Sequence, residues 1–135
     1  MASGLFDNGR NRFARGDTLW KAAAGSTLKA ALIDVGTVAP NLATHTTMAD
    51  LRSAVVGSDG AMTPADPTAG VCDAADVTFS AVTGNSVEGV VIYHEVSGSD
   101  ANRFLLAWEE FTAVTPNGGD IVIQWDNGAN KIFKL

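Results

Sequence analysis

The chain has 135 residues, a formal charge of −6, and 46% hydrophobic against 18% charged residues. Its length supports one core rather than two. Its hydrophobicity excludes intrinsic disorder, and its acidity argues against wrapping nucleic acid, which needs clustered Lys and Arg.

A typical soluble domain carries about 25% charged residues. This chain therefore has apolar surface to hide, under its own fold or against neighbours. The charge is also uneven: residues 1–30 balance at +3, residues 31–130 at −11 and residues 131–135 at +2. A basic head on an acidic body favours head-to-body packing between copies. Cys72 is the single cysteine, so no intrachain disulfide is possible, and it reads as a small apolar filler in a strand. No apolar signal-like segment and no run of roughly 18 apolar residues is present, so neither secretion nor a membrane helix is expected.

In chain order, residues 5–15 (LFDNGRNRFAR) predict a helix with Ser3 as its cap and Gly16 at the C′ position. Gly9 weakens that helix by about 1 kcal/mol relative to Ala. Arg10 and Arg12 are expected to project away from a Phe6/Phe13 stripe. Residues 1–18 then form a helical arm on a single β domain of residues 19–135. Residues 20–24 are ambiguous, a helical turn cut short by Gly25. Residues 27–34 (TLKAALID) read as a strand, residues 35–50 as a loop with a helical turn near 46–51, and residues 51–56 as a short strand ended by Ser58-Asp59-Gly60. The Pro- and Gly-rich stretch 57–70 reads as a long loop.

The second half alternates more regularly. Residues 76–82, 87–96, 103–111 and 120–126 predict strands, separated by Gly-rich turns at 83–86, 97–100 and 115–119. The strand at 87–96 is apolar on both faces and should be central. Asn127-Gly128 matches a type I′ hairpin turn, returning residues 129–135 antiparallel to 120–126. The fold class expected is all-β: an antiparallel β-sandwich or jelly-roll-like barrel with a short N-terminal helix.

No motif carries chemistry. His94 and Glu95 are strand neighbours on opposite faces and cannot chelate together. Glu109 and Glu110 likewise alternate, so they are no acid/base pair. Asp73 and Asp76 read as turn or strand-start residues rather than a Ca²⁺ loop. The glycines punctuate turns and fit no phosphate-binding fingerprint. The chain is read as a non-enzyme without metal or cofactor. A candidate assembly interface is formed by Leu5, Phe6, Arg10, Arg12, Phe13, Arg15 and Trp20, with Trp20 expected as an exposed anchor outside the strands.

Four stretches carry a resemblance that covers nearly the whole chain: LFDNGRNRFARGDTLW, LKAALIDVGTVAPNLATHTTMADL, DAADVTFSAVTGNSVEGVVIYHEV and AVTPNGGDIVIQWDNGANKIFKL. They resemble a group of small virion structural proteins of tailed bacteriophages. Residues 57–70 depart from that pattern in their Pro and Gly content. The resemblance implies a subunit present in many copies in the virion, assembled in the host cytoplasm. It implies a capsid decoration or cement protein that binds the coat lattice. The partners it implies are the major capsid protein or tail proteins, with self-association and no nucleic acid. A tail or head-to-tail connector subunit fits the same properties. So does a sandwich whose loops at 57–70 and 97–101 hold a receptor or carbohydrate.

Overall fold

The computed structural model describes residues 3–21, 27–126, 128, 129 and 131–135. The protein is all-β and antiparallel, with one short N-terminal helix. In chain order the elements are β1 (Gly4–Leu5), α1 (Asp7–Arg15), β2 (Thr27–Ile33), β3 (Val55–Ala61), β4 (Val71–Cys72), β5 (Val77–Phe79), β6 (Val87–Glu95), β7 (Arg103–Val114), β8 (Ile121–Ile123) and β9 (Phe133–Lys134). Five strands form the main sheet in the order β1-β7-β6-β2-β3, while β4 pairs with β9 and β5 with β8 as small ribbons.

The central strand is β6, as its two apolar faces require. Val90 and Ile92 belong to one core and Val91 and Tyr93 to the other, all four fully buried. Alternation along a strand sends neighbouring side chains to opposite faces, so one apolar run serves two cores. The first core also takes Cys72, Val77, Phe79, Trp125 and Ile132 from the strands and segments of the ribbons. The second lies under residues 35–54, which bring in Met48, Leu51 and Ala54. The predicted helical turn there is a 3-10 turn, Met48–Asp50. A reciprocal capping box closes it, with the Thr47 and Asp50 side chains each receiving a backbone N–H of the other's end.

The N-terminal segment is built into this sheet rather than hanging from it as an arm. Leu5 pairs with Ala107 across β1 and β7, and the Phe6 N–H donates to the Leu106 carbonyl at 2.9 Å. Phe6 is fully buried in the second core, while Phe13 packs on the first. The helix therefore caps the edge of β7 and feeds both cores. It begins at Asp7, not at Leu5, and Phe6 at its N-cap offers no side-chain cap. Ser3, the expected cap, instead accepts the Glu110 N–H at 2.8 Å. Gly16 ends the helix at φ 79, donating to the Arg12 and Phe13 carbonyls as predicted.

Two further expectations are corrected. Residues 51–56 are not one strand: a 3-10 turn, Arg52–Ala54, leads into β3, which continues through Ser58-Asp59-Gly60 with an irregularity in its register against β2 between Val56 and Gly60. Gly60 does not end that strand. It is small because Val77 and Phe79 lie above it, and a Cβ would come within 2.8 Å of Val77 Cγ1. The hairpin expected at Asn127-Gly128 does not form, because β8 pairs with β5 and β9 with β4. Asn127 itself and residues 22–24 of the ambiguous alanine run lie outside the described residues.

Candidate functional site

Five large apolar side chains are exposed among the described residues: Leu19, Val96, Val114, Val122 and Leu135. Three of them lie in two open grooves. The first groove, about 440 Å³, runs between α1 and β9 and is lined by Leu5, Arg10, Phe13, Ala14, Lys134 and Leu135. Its floor is apolar and its rim carries two cations. Arg10 also reaches Asp7 at 3.1 Å, an exposed pair that contributes little to stability. The second groove, about 320 Å³, lies between the end of β7 and β8, with Phe111, Val114, Ile121 and Val122 among its lining residues.

The residues expected at an assembly interface are divided by the fold. Leu5, Phe13 and Arg10 meet in the first groove. Arg15 is exposed and pairs with Asp17 at 2.9 Å. Phe6, Arg12 and Trp20 are buried and present no surface. Trp20, expected as an exposed anchor, is 4% exposed: its indole N–H donates to the Asp73 carbonyl at 2.8 Å and its ring meets Phe133 edge-on.

Arg12 does not project away from the helix's apolar side. Its Nε donates to Thr18 Oγ1 at 2.9 Å, and its guanidinium lies 4.0 Å from the Phe104 ring centroid. Thr18 Oγ1 in turn lies 2.9 Å from His94 Nδ1. Since that hydroxyl already accepts from Arg12, its own proton is available to the imidazole. Burial holds the Arg12 guanidinium below its usual value. A cation stacked on an aromatic face and anchored by a hydroxyl is a packing solution for an arginine that the helix turns inward.

A second polar cluster was invisible as a motif. Arg52 grips Asp59 through Nη1 and Nη2 at 2.8 and 2.9 Å, and Asp100 through Nε and Nη2 at 3.0 and 2.9 Å. Arg103 bridges Asp100 at 2.6 Å and Glu95 at 2.8 Å, and Lys29 reaches Glu95 at 2.9 Å. The Tyr93 hydroxyl donates to Asp59. Burial pushes the Asp59 carboxyl up, but the hydrogen bonds from Arg52 and Tyr93 outweigh it and hold it below the usual carboxylate value. The Arg52 and Lys29 contacts do the same for Asp100 and Glu95 respectively. Each carboxylate is matched by a cation, so the cluster fastens β2, β3, β6 and the start of β7 together and its carboxylates are weaker bases than free ones. Arg52 and Arg103 are the two cations of residues 31–130, and that scarcity was the one signal of their role.

Glu109 differs. It faces a small cavity of about 180 Å³, whose lining includes Val90, Phe111, Trp125 and Ile132. Burial raises its carboxyl to about 7 against a weaker opposing hydrogen bond from Ser3. Cys72 is buried as a strand residue, and burial pushes its thiol to about 11, so it is not a nucleophile at neutral pH. Among the described residues no three His, Cys, Asp or Glu side chains converge as metal ligands, and no helix is long and apolar enough to cross a membrane.

Compared with protein-family models, curated proteins and solved structures, the chain matches none of them.

Proposed function

We propose that this chain is a structural subunit of a tailed-phage virion, a decoration or cement protein that binds the outer coat lattice. The observation that carries the reading is the groove between α1 and β9, where Leu5, Phe13 and Leu135 offer an apolar floor and Arg10 and Lys134 a cationic rim. Such a surface buries apolar area on contact and selects an acidic partner face through its charges. The low charge content and the other exposed apolar side chains support the same reading.

The test is mass spectrometry of purified particles of the encoding phage, followed by addition of the protein to capsids stripped of it. Many copies per particle, rebinding, and loss of rebinding in Lys134→Glu are the expected results. A protein missing from particles overturns the reading.

A further inference from the structure

We propose that the cavity at Glu109 binds a small aliphatic ammonium ion, with the Glu109 carboxylate as its counter-charge and apolar and aromatic side chains around its carbon tail.

The sheet fixes where Glu109 stands. It pairs with Val90 across β7 and β6, and directly paired residues share a face. Val90 belongs to the first core with Trp125 and Ile132, and Phe111 packs against that core. These four side chains line the cavity of about 180 Å³ together with Glu109. A carboxyl therefore opens onto apolar walls, where ionising it without a partner is costly.

Elsewhere the fold supplies such partners. Asp59, Asp100 and Glu95 lie 2.6–2.9 Å from their cations. Asp34 accepts from Gly36, Thr37 and Asn85. Glu109 has a hydrogen bond from Ser3. Lys131, the cation of the cavity lining, reaches Asp73 at 4.0 Å, and Glu109 forms no ion pair among the described residues. Its missing counter-charge and the open volume beside it occur at the same place.

The lining sets the class of ligand. Glu109, Glu110 and Asp126 outnumber Lys131, and a cleft lined by one sign of charge concentrates the other. A bare metal ion needs several converging oxygens, and no such set of acidic or His side chains exists among the described residues. Val90 and Ile132 suit a carbon tail, while Phe111 and Trp125 bring aromatic rings, which attract an ammonium. At about 30 Å³ per water, the cavity holds roughly six non-hydrogen atoms. It shares no lining residue with the α1–β9 groove, so the inference goes beyond the coat-binding reading and stands or falls separately.

The test is titration of the full chain with n-butylammonium at pH 8, followed by two-dimensional ¹H–¹⁵N NMR. The Trp125 indole N–H is the reporter, since it is fixed on the Ala75 carbonyl at 3.0 Å. A saturating shift at roughly millimolar concentration is expected. n-Butanol keeps the tail without the charge, and Glu109→Gln keeps the side-chain shape without the charge; circular dichroism confirms that the variant is folded. Each is expected to weaken binding by at least about tenfold. At pH 5 the wild type should also bind at least about tenfold more weakly, because only the ionised fraction of Glu109 is competent. Glu109→Gln should lose that pH dependence, which separates Glu109 from Glu110, Asp126 and Lys131, the other charged groups facing the cavity. Absence of a saturating shift at pH 8, equal binding of n-butanol, or wild-type affinity unchanged at pH 5 would each overturn the site. So would a variant that keeps the wild-type affinity or its pH dependence.

Discussion

Gly9 lies against the backbone of Leu106: a Cβ at position 9 would sit 2.4 Å from the Leu106 carbonyl oxygen and 2.8 Å from its Cα. The helix crosses β7 at this point, and only a residue without a side chain lets it come so close. Gly9→Ala should gain about 1 kcal/mol of helix propensity and lose more through overpacking, since the obstacle is backbone and cannot rotate away. A net destabilisation of about 1–3 kcal/mol is expected, read from urea unfolding.

Phe6 supplies a fully buried ring to the second core, and its backbone continues the pairing of β1 with β7. Phe6→Ala should cost about 3–5 kcal/mol. Removing residues 1–16 should therefore unfold the protein, not leave a folded domain without its arm. Loss of the cooperative thermal transition is the measurement, and a truncated protein with an unchanged melting temperature would refute the expectation.

Glu109 titrates near 7 in the fold and near ~4.3 when unfolded, the ordinary value for Glu. The folded state binds the proton more tightly. The contribution is complete below about pH 4 and is lost as pH rises through about 7. Glu109→Gln should thus be more stable than the wild type at pH 8, by roughly 1–3 kcal/mol, and should show no such advantage at pH 4. Denaturant midpoints at the two pH values decide it.

Arg52 keeps about a third of its side chain exposed while holding Asp59 and Asp100. Arg52→Met leaves both carboxylates without their main cation and should cost about 1–3 kcal/mol at neutral pH, less than for a fully buried pair. Both acids titrate below their unfolded value near ~3.9. Their contribution is present above about pH 4 and lost as pH falls through the folded values, so the gap between variant and wild type should close in acid. Parallel acid-unfolding curves would contradict this.

Local pattern determined much of this protein by itself. Two-residue alternation marked β7, an apolar run bounded by glycines marked β2, and the apolar character of both faces put β6 at the centre, because a strand's side chains must alternate and buried faces must be apolar. Gly16 stopped the helix where a left-handed residue was needed. Cys72 read correctly as a buried filler. Partnership between distant segments was decided by the tertiary structure alone. Asn127-Gly128 looks like a hairpin because turn propensity is local, yet β9 pairs with β4 across about sixty residues of sequence. Arg12 and Trp20 looked like surface residues because charge and position outside a strand favour exposure, but Phe104, Thr18 and Asp73 arrive from elsewhere to satisfy them. Gly9 and Gly60 looked like weak points in their elements. Their role is close approach, which is a property of what packs on top of them. Leu5, Phe13, Lys134 and Leu135 become one groove only when both ends of the sequence are folded to the same side.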